Sequence, residues 1–159
     1  NWKAHFPPLL IGARFYVCPP WAPPAPAGRV QVVIDPGMAF GTGNHATTAG
    51  CLELLERHLQ PGMDVLDVGT GSGVLAIAAL LLGARHATAV DDDPLATAAA
   101  AGNAARNGVA ERITVLASID AVAGTYDLGL ANIQLNVLCA LEPEIAARIR
   151  PGGVLLASG

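Results

Sequence analysis

Charged residues are scarce in this sequence. They make up 14% of its 159 residues, against about 25% in an average soluble domain, and the formal net charge is only −4. Lysine and arginine form no cluster, which argues against a nucleic-acid-binding surface. The longest apolar run, residues 74–82, is far shorter than the ~20 residues needed to cross a bilayer, and no signal peptide is visible. We therefore expect a cytoplasmic protein that contacts neither membranes nor nucleic acid directly.

Cysteine is also sparse, and its spacing argues against two kinds of stabilising site. Cys18, Cys51 and Cys139 are odd in number and far apart, unlike a disulfide framework or a zinc motif. We expect three buried or half-buried thiols in a reducing compartment. The four histidines also lack metal-ligand spacing, so no metal site is predicted.

Apolar residues, by contrast, are abundant. They make up 52% of the chain, and the length suits one domain with one substantial core. We divide the chain into an amino-terminal arm or linker, residues 1–40, and a main domain, residues 41–159. Prolines interrupt the arm and leave room for two short strands, at 13–17 and 30–34, and for a possible hairpin.

Helical and strand patterns alternate along the main domain, which predicts an α/β fold with a doubly wound, mostly parallel sheet. The sequence ends at Gly159, directly after a predicted strand, and we expect the domain to be truncated at its carboxyl end. Pro151-Gly152-Gly153 is interpreted as the turn before that strand. The helices are predicted at 45–59 (capped by Asn44), 73–82, 94–107 and 136–150, and the strands at 65–68, 87–90, 113–117, 126–133 and 154–158.

A glycine-rich segment follows the first strand of the main domain. It reads Asp67-Val68-Gly69-Thr70-Gly71-Ser72-Gly73, and its glycines permit a tight turn with positive φ and close approach of a ligand to the backbone. The spacing departs from the nicotinamide pattern G-x-G-x-x-G, whose third glycine would fall on Val74. A packed turn without any ligand remains an alternative at this point.

An acidic residue ends the second strand of the main domain. Asp91 lies where dinucleotide-binding folds place the carboxylate that accepts hydrogen bonds from ribose hydroxyls. The alternative is that residues 91–93 only cap the following helix, for which Asp93, directly before Pro94, is the best placed. A glycine loop and a ribose acid without the nicotinamide spacing indicate a nucleoside cofactor that lacks pyrophosphate, and S-adenosylmethionine is the obvious candidate.

Residues 35–48, DPGMAFGTGNHATT, closely resemble the signature of the PrmA family, whose members methylate amino groups of ribosomal large-subunit protein eleven. The segments at 65–73, 90–94 and 127–133 follow in that family's order and spacing, and a looser similarity around 18–21 extends over the arm. Ala46 and Thr70 stand where the family often has proline and cysteine, and residues 133–138 depart further from its pattern.

The resemblance implies a Rossmann-like class I S-adenosylmethionine-dependent methyltransferase. It also implies cofactor contacts at Thr48, Gly69, Asp91 and Asn132, and activity on lysine side chains and the α-amine of that ribosomal protein. Two alternatives stay open: a methyltransferase for another protein lysine or a small amine, and a cofactor-binding fragment without activity. No convincing catalytic base is found, since His45 lies at a helix start where a structural role is favoured. Desolvation of the lysine in a closed pocket would then favour its neutral amine, and the side-chain oxygen of Asn132 would orient that amine.

Overall fold

The structure is a computed structural model and describes residues 2–37 and 45–159. Within these residues the chain forms eight strands and four α-helices. The strands are β1 (Leu9–Ile11), β2 (Phe15–Cys18), β3 (Val30–Val33), β4 (Asp64–Val68), β5 (His86–Val90), β6 (Ile113–Leu116), β7 (Tyr126–Asn132) and β8 (Ile149–Ser158). The helices are α1 (His45–His58), α2 (Val74–Leu81), α3 (Pro94–Arg106) and α4 (Leu135–Ala147).

A five-stranded parallel sheet forms the centre of the fold. Its strands lie in the order β6-β5-β4-β7-β8, so the chain builds outward from β4 in one direction and then reverses at β7. Side chains of a strand point alternately to the two faces. On β4, Val65 packs into the core beneath α1 and α2, whereas Leu66 and Val68 pack into the core that contains Ile145 of α4. Helices therefore cover both faces, and the predicted doubly wound α/β sheet is confirmed.

The arm forms a second, three-stranded sheet. Strands β1 and β2 pair as an antiparallel hairpin, and β3 then joins β2 in parallel. Ile11, Phe15 and Val32 of this sheet are buried in one core cluster with Leu52 and Leu55 of α1. The arm is therefore packed against the same face of the central sheet as α1.

Helix α3 begins and ends on the sequence signals that predicted it. The Asp93 side chain accepts a hydrogen bond from the Leu95 amide, and Pro94 occupies the first helical position. Asn107 then caps the carboxyl end, and Gly108 follows with φ of 71°. Asp93 therefore serves as the cap, which leaves Asp91 available for another role.

Two predictions at the end of the chain are wrong. Helix α4 stops at Ala147 rather than near Arg150, and β8 begins at Ile149 instead of Val154. The residues interpreted as a turn are absorbed as an irregularity in the pairing of β7 with β8, between Tyr126 and Leu128. Gly153 fits there because a Cβ would come within 2.9 Å of the Asp127 carbonyl oxygen.

The cysteines differ in their surroundings. Cys18 and Cys51 are buried as expected, but Cys139 is exposed on α4, a helix of which only Ile145 is fully buried. None of the helices in the described parts of the chain is long and apolar enough to span a membrane.

Candidate functional site

A cavity of about 910 Å³ opens at the carboxyl ends of the central strands. It lies where β4 and β7 are neighbours and the order of the sheet reverses, which is the position at which open α/β sheets bind ligands. Its volume falls in the upper part of the range of about 300–1,000 Å³ typical of small-molecule sites. All four residues predicted to contact a cofactor, Thr48, Gly69, Asp91 and Asn132, line this one cavity.

The glycine loop forms the floor between β4 and α2. The amides of Gly69 and Thr70 both donate to the Val90 carbonyl oxygen, at 2.8 and 2.9 Å, which ties the loop to the end of β5. Gly69 has φ of 72°, and a Cβ there would overlap Cγ2 of Ile133. The positive φ at position 69 and the contact with Ile133 therefore both require glycine there. Close approach of a ligand to the backbone would be a further reason for glycine.

Asp91 is held rigidly at the edge of the loop. Its Oδ2 accepts the Gly71 amide at 2.9 Å, and its Oδ1 accepts the Asp93 amide at 3.0 Å. A carboxylate has about four acceptor sites, so each oxygen retains capacity for one more hydrogen bond. The carboxylate is thus fixed in orientation while still able to accept two hydroxyl groups.

Thr48 and Asn132 meet on the opposite side of the cavity. The Nδ2 group of Asn132, at the end of β7, donates to Oγ1 of Thr48, in the first turn of α1, at 3.2 Å. This bond joins two residues that are 84 positions apart in the sequence. In this bond the nitrogen end of the Asn132 amide faces the threonine. The predicted cap Asn44 and the side chain of His45 lie outside the described residues.

A buried carboxyl group lies beneath the loop. Asp67 is fully buried, and its Oδ2 accepts the Thr70 hydroxyl at 2.7 Å. Desolvation raises the pKa of Asp67 to about 6, while the hydrogen bonds from Thr70 and from the Ala76 backbone act in the opposite direction. From the sequence, Asp67 was identified only as the residue before the loop. Its position at the end of a buried strand was the signal that could have singled it out.

The segment after β6 supplies a further wall, which was not predicted from the sequence. Ser118, Ile119 and Asp120 line the cavity in a short 3₁₀ turn, within which the Ser118 hydroxyl accepts the Asp120 amide. The general rule that ligands sit at the carboxyl ends of parallel strands applies to this third strand as well, and it would have identified the segment.

The walls of the cavity carry charge of one sign. Its described lining includes five carboxylate residues and no lysine, arginine or histidine. Such a lining attracts cations and raises their local concentration. The carboxylates belong to Asp91, Asp92, Asp93, Asp120 and Glu144.

The parallel sheet, its strand order and the glycine loop at the switch point define a Rossmann-like fold of the class I S-adenosylmethionine-dependent methyltransferase type. An S-adenosylmethionine-dependent methyltransferase from Thiobacillus denitrificans was solved in complex with S-adenosyl-L-homocysteine. Its superposition covers 68% of this chain and 47% of that chain, with a TM-score of 0.59. The identity is 23%, so this likeness concerns the fold alone.

The particular family follows from the sequence as a whole. The family model described as ribosomal protein L11 methyltransferase (PrmA) matches residues 1–159, and the chain belongs to this family. The resemblance inferred from residues 35–48 and the later motifs is thereby confirmed, and it extends over the arm.

Relatives of known name agree with this assignment. The chain is 52% identical to the ribosomal protein L11 methyltransferases of Pelotomaculum thermopropionicum and Symbiobacterium thermophilum, over 99% of its own length in each case. It spans about half the length of these curated relatives, 52% of each. A crystal structure of the ribosomal protein L11 methylase from Lactobacillus delbrueckii subsp. bulgaricus matches 96% of this chain and 80% of its own, with 34% identity and a TM-score of 0.89.

Proposed function

We propose that this chain forms the cofactor-binding core of an enzyme that transfers methyl groups from S-adenosylmethionine to amino groups of ribosomal protein L11. The observation that carries the proposal is the convergence of Thr48, Gly69, Asp91 and Asn132 on one cavity at the switch point of the sheet. A ribosomal protein substrate implies a cytoplasmic enzyme. In it, residues 1–40 would serve as an arm, whose described strands pack on α1.

The cavity fits a nucleoside cofactor of this kind. Asp91 offers an acceptor on each oxygen for the two ribose hydroxyls, and the loop after β4 brings backbone close to the ligand. We propose that the turn at 118–120, which lines the same cavity, contacts the base. S-adenosylmethionine supplies a methyl group on a positively charged sulfur, and a lining of five carboxylate residues suits that charge.

The acceptor amine presents a separate problem, because a free lysine has a pKa of about 10.4 and is protonated near neutral pH. We propose that the acidic rim attracts the ammonium group and that the amine releases its proton to water as it enters the cavity. Desolvation there then favours the neutral amine, against the opposing effect of the carboxylates. The side-chain oxygen of Asn132, whose Nδ2 is held by Thr48, would orient the neutral amine toward the methyl group.

The direct test is mass spectrometry of purified ribosomal protein L11 after incubation with this protein and isotope-labelled S-adenosylmethionine. We expect labelled methyl groups on lysine side chains or on the α-amine. Label on a different protein or on a small amine, with L11 unmodified, would assign another substrate. Cofactor binding without label on any acceptor would reduce the function to cofactor binding.

A further inference from the structure

Helix α3 contacts the glycine loop through a buried asparagine. The Nδ2 group of Asn103 donates to the Ser72 carbonyl oxygen at 2.9 Å, and its Oδ1 accepts the Asp35 amide at 3.0 Å. One side chain therefore joins the loop beneath the cavity to the segment that follows β3. Asn103 itself is absent from the described lining of the cavity.

The bond from Asn103 fixes one peptide unit of the loop. The carbonyl of the Ser72–Gly73 peptide is held by Asn103, and its N–H donates to the Thr70 carbonyl oxygen at 2.9 Å. A Cβ at Gly73 would lie 3.1 Å from Cβ of Ala100, one turn before Asn103, so helix and loop are in close contact. Without the asparagine donor, the carbonyl of the buried Ser72 would lose its partner, which is costly away from water.

The other end of the Asn103 side chain holds the backbone at Asp35, just after β3. Asp35 precedes α1, whose first turn carries Thr47 and Thr48 into the cavity. Asn107, one turn further along α3, holds the end of β3 in a similar manner. It accepts the Val33 amide and donates to the Val33 carbonyl, both at 2.8 Å. Of these two asparagines, Asn103 is the one that bonds to the glycine loop.

We propose that Asn103 is a positioning residue for the cofactor site: it sets the loop at Ser72 and ties it to Asp35, just after β3. The inference rests on the proposed function, because the cofactor is the ligand that the loop holds. Asn103 acts through the Ser72 peptide and does not touch the cofactor.

The substitution Asn103→Asp separates its two bonds. It retains an oxygen to accept the Asp35 amide but sets a carboxylate oxygen against the Ser72 carbonyl. A protonated carboxyl group restores the donor, so affinity for S-adenosylhomocysteine should equal that of the unchanged chain at low pH. The affinity should then fall at least tenfold, or about 1.4 kcal/mol, as rising pH ionises the introduced carboxyl. Calorimetric titrations over a pH series, with the unchanged chain as baseline, measure this profile.

Asn107→Asp is the matched control. It makes the same chemical change one turn further along the same helix. There the side chain bonds to Val33 and to the Asn103 carbonyl, and not to the loop. We expect it to lower the melting temperature while the pH profile of cofactor affinity stays that of the unchanged chain. If the Asn103→Asp variant unfolds at high pH, Asn103→Ala compared with Asn107→Ala replaces the pair, and only the former should weaken binding about tenfold.

The outcomes separate the two claims. A folded Asn103→Asp variant that binds S-adenosylhomocysteine with the unchanged chain's pH profile would overturn this inference alone. Equal losses of affinity at positions 103 and 107 would overturn it too, because the effect would then come from the clamp on β3. Failure of the unchanged chain to bind S-adenosylhomocysteine would overturn the proposed function and this inference with it.

Discussion

At the scale of single residues, Asp91 carries the most specific expectation. Asp91→Ala removes the two acceptors proposed for the ribose and releases the Gly71 amide. Hydrogen bonds to a charged group contribute about 1.5–3 kcal/mol, so the dissociation constant for S-adenosylhomocysteine should rise roughly tenfold to a hundredfold or slightly more. Isothermal titration calorimetry measures the change.

Asp92→Ala is the control for the loss of charge. Asp92 also lines the cavity, and its removal takes the same single negative charge from the rim. We expect it to have a small effect on cofactor affinity. If the Asp92 variant lost affinity and the folded Asp91 variant kept it, the ribose role would belong to Asp92.

Asn132 should act on turnover more than on cofactor binding. Asn132→Ala removes the oxygen proposed to orient the amine, an interaction that matters mainly in the transition state, so kcat should fall by a larger factor than cofactor affinity. Thr48→Ser retains the hydroxyl that accepts from Asn132 and should keep most of the activity. Steady-state methyl transfer to ribosomal protein L11 provides both constants. A variant at Asn132 with full kcat and weakened cofactor binding would make it a binding residue only.

The buried Asp67 predicts a pH dependence of stability. Its pKa is about 6 in the folded protein against an ordinary value of 3.8, so the folded state holds a proton that the unfolded state releases in that interval. The contribution of Asp67 to the free energy of unfolding must therefore fall as pH rises through the interval, and stay low above it. Asp67→Asn, which retains an acceptor for Thr70, should show a shallower decline in urea unfolding across the same pH series. Parallel curves for the two proteins would refute the raised pKa.

At the scale of elements, the two ends of the parallel sheet have different tasks. The cavity lies at the carboxyl ends of the strands. At the amino ends, Asp127 near the start of β7 accepts hydrogen bonds from the Asp64 amide, at 2.8 Å, and from Arg150. The Asp64 amide and Arg150 hold the pKa of Asp127 below its ordinary value, against the effect of burial. Asp127→Ala should reduce the free energy of unfolding by about 1.5 kcal/mol and leave cofactor affinity unchanged.

Asp127→Asn retains an acceptor oxygen and should lose less stability than the alanine variant. Chemical denaturation and cofactor titration of both variants test the separation. A large loss of cofactor affinity in a folded Asp127→Ala variant would contradict the division of tasks between the ends of the sheet.

Most helices and strands could be predicted from the sequence, but the start of β8 could not. Strands β4 to β7 and helices α1 to α3 lie within a few residues of their predicted bounds, because buried apolar runs and caps such as Asp93 are local signals. The start of β8 was missed because Pro151-Gly152-Gly153 has the composition of a turn. Pairing with β7 overrides that local preference for a turn, and this pairing cannot be predicted from the local sequence.

At the scale of the whole molecule, the packing of the arm and the acidic lining of the cavity could not be predicted from the sequence. Prolines obscured the periodicity of the arm, and β1 was not predicted; yet Phe15 and Val32 join the core beneath α1. The net charge of −4 gave no hint that five carboxylate residues converge on one cavity. The four predicted contacts could be named from motifs, but the bond between Thr48 and Asn132 arises only when the sheet is assembled.

The central claim is that the cavity at the sheet's switch point binds a nucleoside cofactor of the S-adenosylmethionine type. The most direct measurement is a pair of calorimetric titrations of the purified chain, one with S-adenosylhomocysteine and one with NAD. We predict saturable binding of S-adenosylhomocysteine at one molecule per chain and much weaker binding of NAD, because the loop after β4 has glycines at 69, 71 and 73 and valine at 74. Tighter binding of NAD, or no saturable binding of S-adenosylhomocysteine by the folded chain, would contradict the account.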